Sequence, residues 1–123
     1  MVEPSRWPVR LTAAAEADFR EILRWTTDRF GRAQARSYAR TLSAAIEALA
    51  EGPSVVGARM RDDVSNGLFT LHVARGGRKG RHLVMFQVGR DRNRDVIEVL
   101  RVVHDSMDLP RHVAKTLDDR DEA

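Results

Sequence analysis

No cysteine occurs among the 123 residues, which excludes disulfides, thiol nucleophiles and thiolate metal sites. No apolar run approaches the roughly 20 residues that a membrane-spanning helix needs. The first ten residues, MVEPSRWPVR, contain no apolar h-region, so no secretory signal is expected and a cytoplasmic protein is the default expectation. Aromatics make up only 6% of the chain, with a single tyrosine, Tyr38. Lysine is nearly absent: 19 of the 21 basic residues are Arg, and only Lys79 and Lys115 are Lys. No Walker loop, dinucleotide fingerprint or HExxH pattern is present, and no segment repeats at a 20–50-residue period.

What is present fits one compact domain. The hydrophobic fraction of 42% and the charged fraction of 32% suit a single folded core. Formal net charge is +3. The last ten residues, 114–123, carry four acids against two bases, so they read as a solvated acidic tail, and residues 1–113 hold +5 as the domain proper. Between Val64 and Arg90 there is no acid, while Arg75, Arg78, Lys79, Arg81 and Arg90 supply five positive charges. Such a stretch is either a solvated loop or a surface for an anionic partner.

Hydrophobic spacing orders the elements. Val9–Leu11 follows Pro8 as a short strand. Thr12 suits an N-cap, with Glu16 and Asp18 near the positive end of the helix it opens. Ala15, Phe19, Ile22, Leu23, Thr26 and Phe30 form its apolar stripe, and Gly31 ends it. A second helix is predicted from about Arg32 to Glu51 on the stripe Ala35, Tyr38, Ala39, Leu42, Ala45, Ile46 and Leu49, stopped by Gly52-Pro53. After a connector the period becomes two. Phe69, Leu71 and Val73 mark one strand, Leu83–Val88 a central strand buried on both faces, and Val96–Val103 a β-branched last strand. Short loops make these three antiparallel. The expected fold is therefore α+β: a two-layer β-α-α-β-β-β domain with a helical hairpin packed on a mainly antiparallel sheet.

Chemistry is harder to place. His72 and His82 flank the basic loop, but no third ligand of suitable type is evident, so no metal site and no cofactor are expected. Arg101 interrupts an aliphatic run, which suggests the sheet face away from the helices, or its rim. There Arg75, Arg81, Arg101 and His104 would converge, with Glu98 as a possible base for cleaving RNA through its 2′-hydroxyl. The alternative is that Arg101 pairs with a carboxylate such as Glu98 and that His104 caps the strand end. Trp25 lies about 110° off the first helix's stripe, which fits either an interface residue or a ring folded onto the helix flank.

Taken together, VRLTAAAEADFREILRWTTDRFG, AQARSYARTLSAAIEALAEGPSVVG running into ARMRDDVSNGL, HLVMFQV and above all IEVLRVVHDSMDLPRH make the chain resemble the ParE/RelE superfamily of type II toxins, on its ParE (plasmid-stabilisation) side. The resemblance covers about Val9 to Val113. It implies a toxin neutralised by a ParD-like antitoxin whose C-terminal segment folds on binding. ParE-like members poison DNA gyrase; RelE-like members cut mRNA in the ribosomal A site. The ribonuclease branch usually carries an Arg before the apolar run of the third strand and a Tyr or similar group near the end of the chain. Here those positions are His82 and His104, Met85 stands where an aromatic often follows, and no Tyr occurs in the C-terminal half. The departures favour gyrase inhibition without catalysis. If the chain were a ribonuclease, Arg81, His82, Arg101 and His104 would be its catalytic set. A third possibility is a non-toxic chain that only binds its antitoxin. The antitoxin is expected on Arg20, Arg24, Trp25, Arg36 and Arg40, and the target on Arg75, Arg78, Lys79, Arg81, His104, Met107, Asp108 and Arg111.

Overall fold

The fold is described from a computed structural model covering residues 6–107 and 109. In chain order it comprises β1 (Val9–Leu11), α1 (Ala13–Phe30), α2 (Arg32–Ala48), a single 3-10 turn (Leu49–Glu51), β2 (Arg59–Met60), β3 (Phe69–His72), β4 (His82–Asp91) and β5 (Arg94–His104). The five strands form one sheet in the order β1-β5-β4-β3-β2. β1 runs parallel to β5, and the other neighbours are antiparallel. This is the expected α+β arrangement, with β2 added from the connector. Two exposed residues give β2 no apolar alternation to be read by.

The caps follow the sequence. Thr12 Oγ1 accepts from the Ala15 amide at 3.1 Å and donates to the Leu100 carbonyl at 2.8 Å, so one side chain both starts α1 and ties it to β5. Gly31, at φ 90°, takes the left-handed turn between the helices without a Cβ penalty.

Two apolar clusters cover the sheet. Ala15, Leu42, Ala45 and Leu49 of the helical layer meet Leu71, Val84, Phe86, Ile97, Val99 and Val102 on one face. Leu68, Met85, Leu100, Val103 and Leu109 pack on the other. β4 is thus buried from both sides, as its continuous apolar run predicts. Phe30 departs from the expected stripe: it is 63% exposed at the last turn of α1, beyond the reach of the sheet. Met107 is likewise exposed, whereas Leu109 is buried. Residues 110–123, including the proposed domain end and acidic tail, lie outside the described residues, as do Asp108 and Arg111.

One irregularity positions the site. The β4–β5 register passes from Met85↔Arg101 to Phe86↔Val99, leaving Leu100 as the extra residue of a β-bulge. The bulge explains why Val99 and Val102, three apart, share the helix-facing cluster while Leu100 and Val103 face the other way.

Candidate interaction groove and its polar end

At the end of the sheet where β4 begins and β5 ends, the helical layer stops short of the strands. The gap is a groove of about 620 Å³ lined by Ile22, Trp25 and Phe30 of α1, Tyr38 of α2, and Arg81, His82 and His104. Trp25 is 52% exposed; Phe30 meets its ring edge-on at a centroid distance of 5.9 Å, and the Arg29 guanidinium lies 5.3 Å from its centre. A smaller adjoining hollow of about 170 Å³ shares Ile22, His82 and His104 and reaches Asp18, Arg101 and Met107.

Hydrogen bonds order the polar end. Tyr38 reaches from α2 to β4: its oxygen accepts from the Arg81 amide at 3.3 Å and lies 2.6 Å from His82 Nδ1. Gly80 permits this approach, because a Cβ there would stand 2.8 Å from the Tyr38 hydroxyl and 2.7 Å from Val73 Cγ2. Burial, countered by the Arg81 amide, holds the Tyr38 hydroxyl above its ordinary pKa, so it remains a donor. Burial and the neighbouring His104 lower the pKa of His82, which keeps that ring neutral at pH 7. His82 and His104 are direct cross-strand partners, with ring centroids 5.5 Å apart. His104 Nδ1 accepts from the Ser106 amide at 3.2 Å and lies 2.7 Å from its hydroxyl.

The cations at this end are each held by a carboxylate. Arg101 makes a two-pronged contact with Asp18 of α1, at 2.7 and 2.8 Å, and Asp18 also accepts from the Val102 amide at 3.0 Å. Arg81 donates to Asp105 at 3.1 and 3.2 Å. His72 accepts from the Ala74 amide on Nδ1, so its Nε2–H donates to Asp105 at 3.0 Å. Arg81 first, then His72, hold the Asp105 carboxyl down at about 2. A carboxylate whose folded pKa is depressed stabilises fully above its unfolded value of about 3.9, and loses that contribution as pH falls towards 2. Urea midpoints should therefore decline between about pH 4 and pH 2, and Asp105→Asn should flatten that part of the profile.

These contacts correct several expectations. Arg75, Arg81, Arg101 and His104 do not gather on the face away from the helices. Arg101, opposite Met85 in the register, reaches Asp18 of α1 with its guanidinium, Arg75 donates to the Val56 carbonyl at 3.0 Å, and His104 lines the groove on the helical side. The carboxylate that Arg101 meets is Asp18 rather than Glu98. Glu98 stands beside Gln87, from which it accepts at 3.0 Å, and 3.7 Å from Arg10, so it is not the base of a site that includes His104. The two histidines that flank the basic loop serve different partners, His72 Asp105 and His82 Tyr38. Among the described residues no three His, Asp or Glu side chains are grouped to hold a metal ion, and no helix is long and apolar enough to cross a membrane. Arg20, Arg24, Arg36 and Arg40 are exposed on the helices, and Arg78 and Lys79 on the β3–β4 loop. Tyr38 and Asp105 had not been singled out from the sequence. Tyr38 sits on a helical apolar stripe like any core residue, and the spacing of the single aspartate in the RVVHD segment says nothing of its partners.

A helical hairpin on one face of this sheet, with an apolar-floored groove at its end, defines a two-layer α+β domain built to bind a partner. The model of the ParE toxin of type II toxin-antitoxin systems (parDE) matches residues 9–109, and the chain belongs to that family. It is 33% identical over 109 residues to Toxin ParE1 of Caulobacter vibrioides, covering 86% of this chain and 97% of that protein. It is also 33% identical over 103 residues to Toxin ParE1 of Mycobacterium tuberculosis, covering 84% and 94%. In three dimensions the chain resembles one from the chromosomal ParDE system of P. aeruginosa, with a TM-score of 0.64, 20% identity and coverage of 81% and 97%. It also resembles one from the toxin-antitoxin complex RelBE2 of M. tuberculosis, with a TM-score of 0.52, 22% identity and coverage of 83% and 94%. Both of these likenesses are of fold.

Proposed function

We propose that this ParE-family chain acts by protein–protein inhibition of DNA gyrase, blocking replication, and that a ParD-like antitoxin neutralises it. The observation that carries the reading is the pairing of the groove-end cations. Arg81 and Arg101 are engaged by Asp105 and Asp18, and His82 is neutral and bonded to Tyr38. Cleavage of RNA by a RelE-type mechanism calls instead for cations aimed at the developing phosphorane charge. We assign the target surface to Arg75, Arg78, Lys79 and Arg81 of the basic stretch, to His104 at the end of β5, and to Met107, Asp108 and Arg111 beyond it in sequence. The antitoxin surface is assigned to Arg20, Arg24, Trp25, Arg36 and Arg40. Trp25 of one set and Arg81 and His104 of the other line a single groove, so an amphipathic antitoxin helix seated there would cover part of both.

Expression without antitoxin is expected to induce the DNA-damage response, and the purified chain with gyrase to leave cleaved DNA. Arg81→Ala is expected to weaken inhibition less than tenfold, since binding is spread over a surface, whereas a ribonuclease losing such a group drops by roughly a hundredfold or more. If translation collapses first and gyrase is unaffected, ribosome-dependent mRNA cleavage replaces this reading; if neither responds, the chain only binds its antitoxin. Trp25→Ala should weaken the antitoxin complex by about 2 kcal/mol or more, as expected for an aromatic anchor. An unchanged dissociation constant would move the interface off the groove.

A further inference from the structure

We propose that the sheet end of the groove is a carboxylate receptor: the Nε2–H groups of His82 and His104 take one acidic side chain of an amphipathic partner helix seated on Trp25 and Ile22, and His82 takes up a proton as it binds. The inference rests on the reading of the groove as the antitoxin's seat, and adds the chemistry by which the seat selects its occupant.

The argument runs through tautomers. Ser106 N–H points at His104 Nδ1, so that atom is an acceptor and the proton of the neutral ring is on Nε2. The Tyr38 oxygen already accepts from the Arg81 amide, and its own O–H has His82 Nδ1 within 2.6 Å. The hydroxyl therefore donates, and the proton of His82 is also on Nε2. Each ring has its orientation fixed at Nδ1, His82 by Tyr38 and His104 by Ser106, and keeps one N–H to offer. The two rings are cross-strand neighbours and both line the groove. Two preorganised donors beside an apolar floor match an acceptor attached to an apolar body. A carboxylate is favoured over a neutral acceptor because its contact with a protonated His82 is charge-assisted on both sides.

The surroundings of the pair set the sign. Arg81 is the nearest lasting positive charge, and Asp105 offsets it. Asp18 is engaged by Arg101, and His72 by Asp105. Asp105 also stands 3.6 Å from His104 Nδ1, Asp18 lines the smaller hollow, and Glu21 of α1 lines both hollows, where it is placed to compete for the pair. Without an occupant, burial and mutual repulsion keep His82 neutral. An incoming carboxylate adds counter-charge, so His82 takes a proton on Nδ1, which then donates to the Tyr38 oxygen as that hydroxyl turns away, and affinity rises as pH falls.

The test uses the full chain with 4-phenylbutyrate as the probe and 4-phenylbutanol as its uncharged counterpart, read by NMR on the Trp25 indole and the histidine ring protons. Both compounds are expected to shift Trp25. Only the carboxylate should shift both His82 and His104, and its affinity should rise about fivefold from pH 8 to pH 6. Glu21→Gln should raise affinity for the carboxylate alone. Equal binding of the two compounds with a flat pH profile would overturn the receptor and leave the groove as an apolar seat. If neither compound perturbed Trp25, the antitoxin's seat in the groove would fall along with the receptor. The gyrase assay is independent of both outcomes.

Discussion

Asp18→Ala is expected to destabilise the chain by about 2–4 kcal/mol, lowering the thermal midpoint by roughly 10 °C or more. Asp18 is a half-buried carboxylate on α1 that holds the Arg101 guanidinium by two hydrogen bonds and accepts the Val102 amide beside the bulge. Alanine removes all three contacts at once. It leaves the guanidinium, whose side chain is only 24% exposed, without the carboxylate it faces. Removing one partner of a buried charge pair costs more than the pair contributes, because the remaining charge keeps its desolvation penalty. Asp18→Asn should cost less, since one oxygen still accepts from Val102 or Arg101. Differential scanning calorimetry of the two variants checks the order. Equal losses would mean that the charge, rather than the acceptor geometry, carries the contact. A secondary effect is expected at the groove, whose smaller hollow is lined by both Asp18 and Arg101.

Phe86→Ala is expected to cost about 3–5 kcal/mol, the usual range for an aromatic removed from a core. Phe86 has no exposed surface, sits on the central strand and stacks on Phe69 at a centroid distance of 5.4 Å. It belongs to the cluster that joins the helical layer to the sheet, so the cavity opens where both layers meet. For a domain of this size that is a large share of the ordinary 5–15 kcal/mol of total stability. Chemical denaturation should show a lower midpoint with little change in slope. Phe86→Leu should recover most of the loss, since it refills most of the volume.

The two variants differ in how visible their sites are in the sequence. Phe86 lies in LVMFQV, a run that reads as a doubly buried strand from hydrophobicity alone. The Asp18–Arg101 contact spans 83 residues, and no local spacing announces it. The same division holds across the chain. Apolar periodicity, the Thr12 cap and the left-handed turn at Gly31 are local physics, and they determined both helices, three antiparallel strands and the α+β class. The terminal RVVHD segment, with the strands before it, carried the family resemblance. Only the tertiary structure decided the rest. Pairing of β1 with β5 depends on which edge the chain returns to. The bulge at Leu100 is hidden because Val99, Leu100, Val102 and Val103 are all aliphatic, so a shift of face leaves no mark on the pattern. That shift sets Arg101 opposite Met85, from where its guanidinium reaches Asp18 of α1. The Tyr38–His82 contact needs the first turns of α2 to lie beside the start of β4 and a glycine at 80 to admit the ring. Side-chain chemistry at the groove is a product of long-range packing, in which residues more than 40 positions apart meet at hydrogen-bonding distance. Local sequence encodes the conformation of each segment, but not which segments come together.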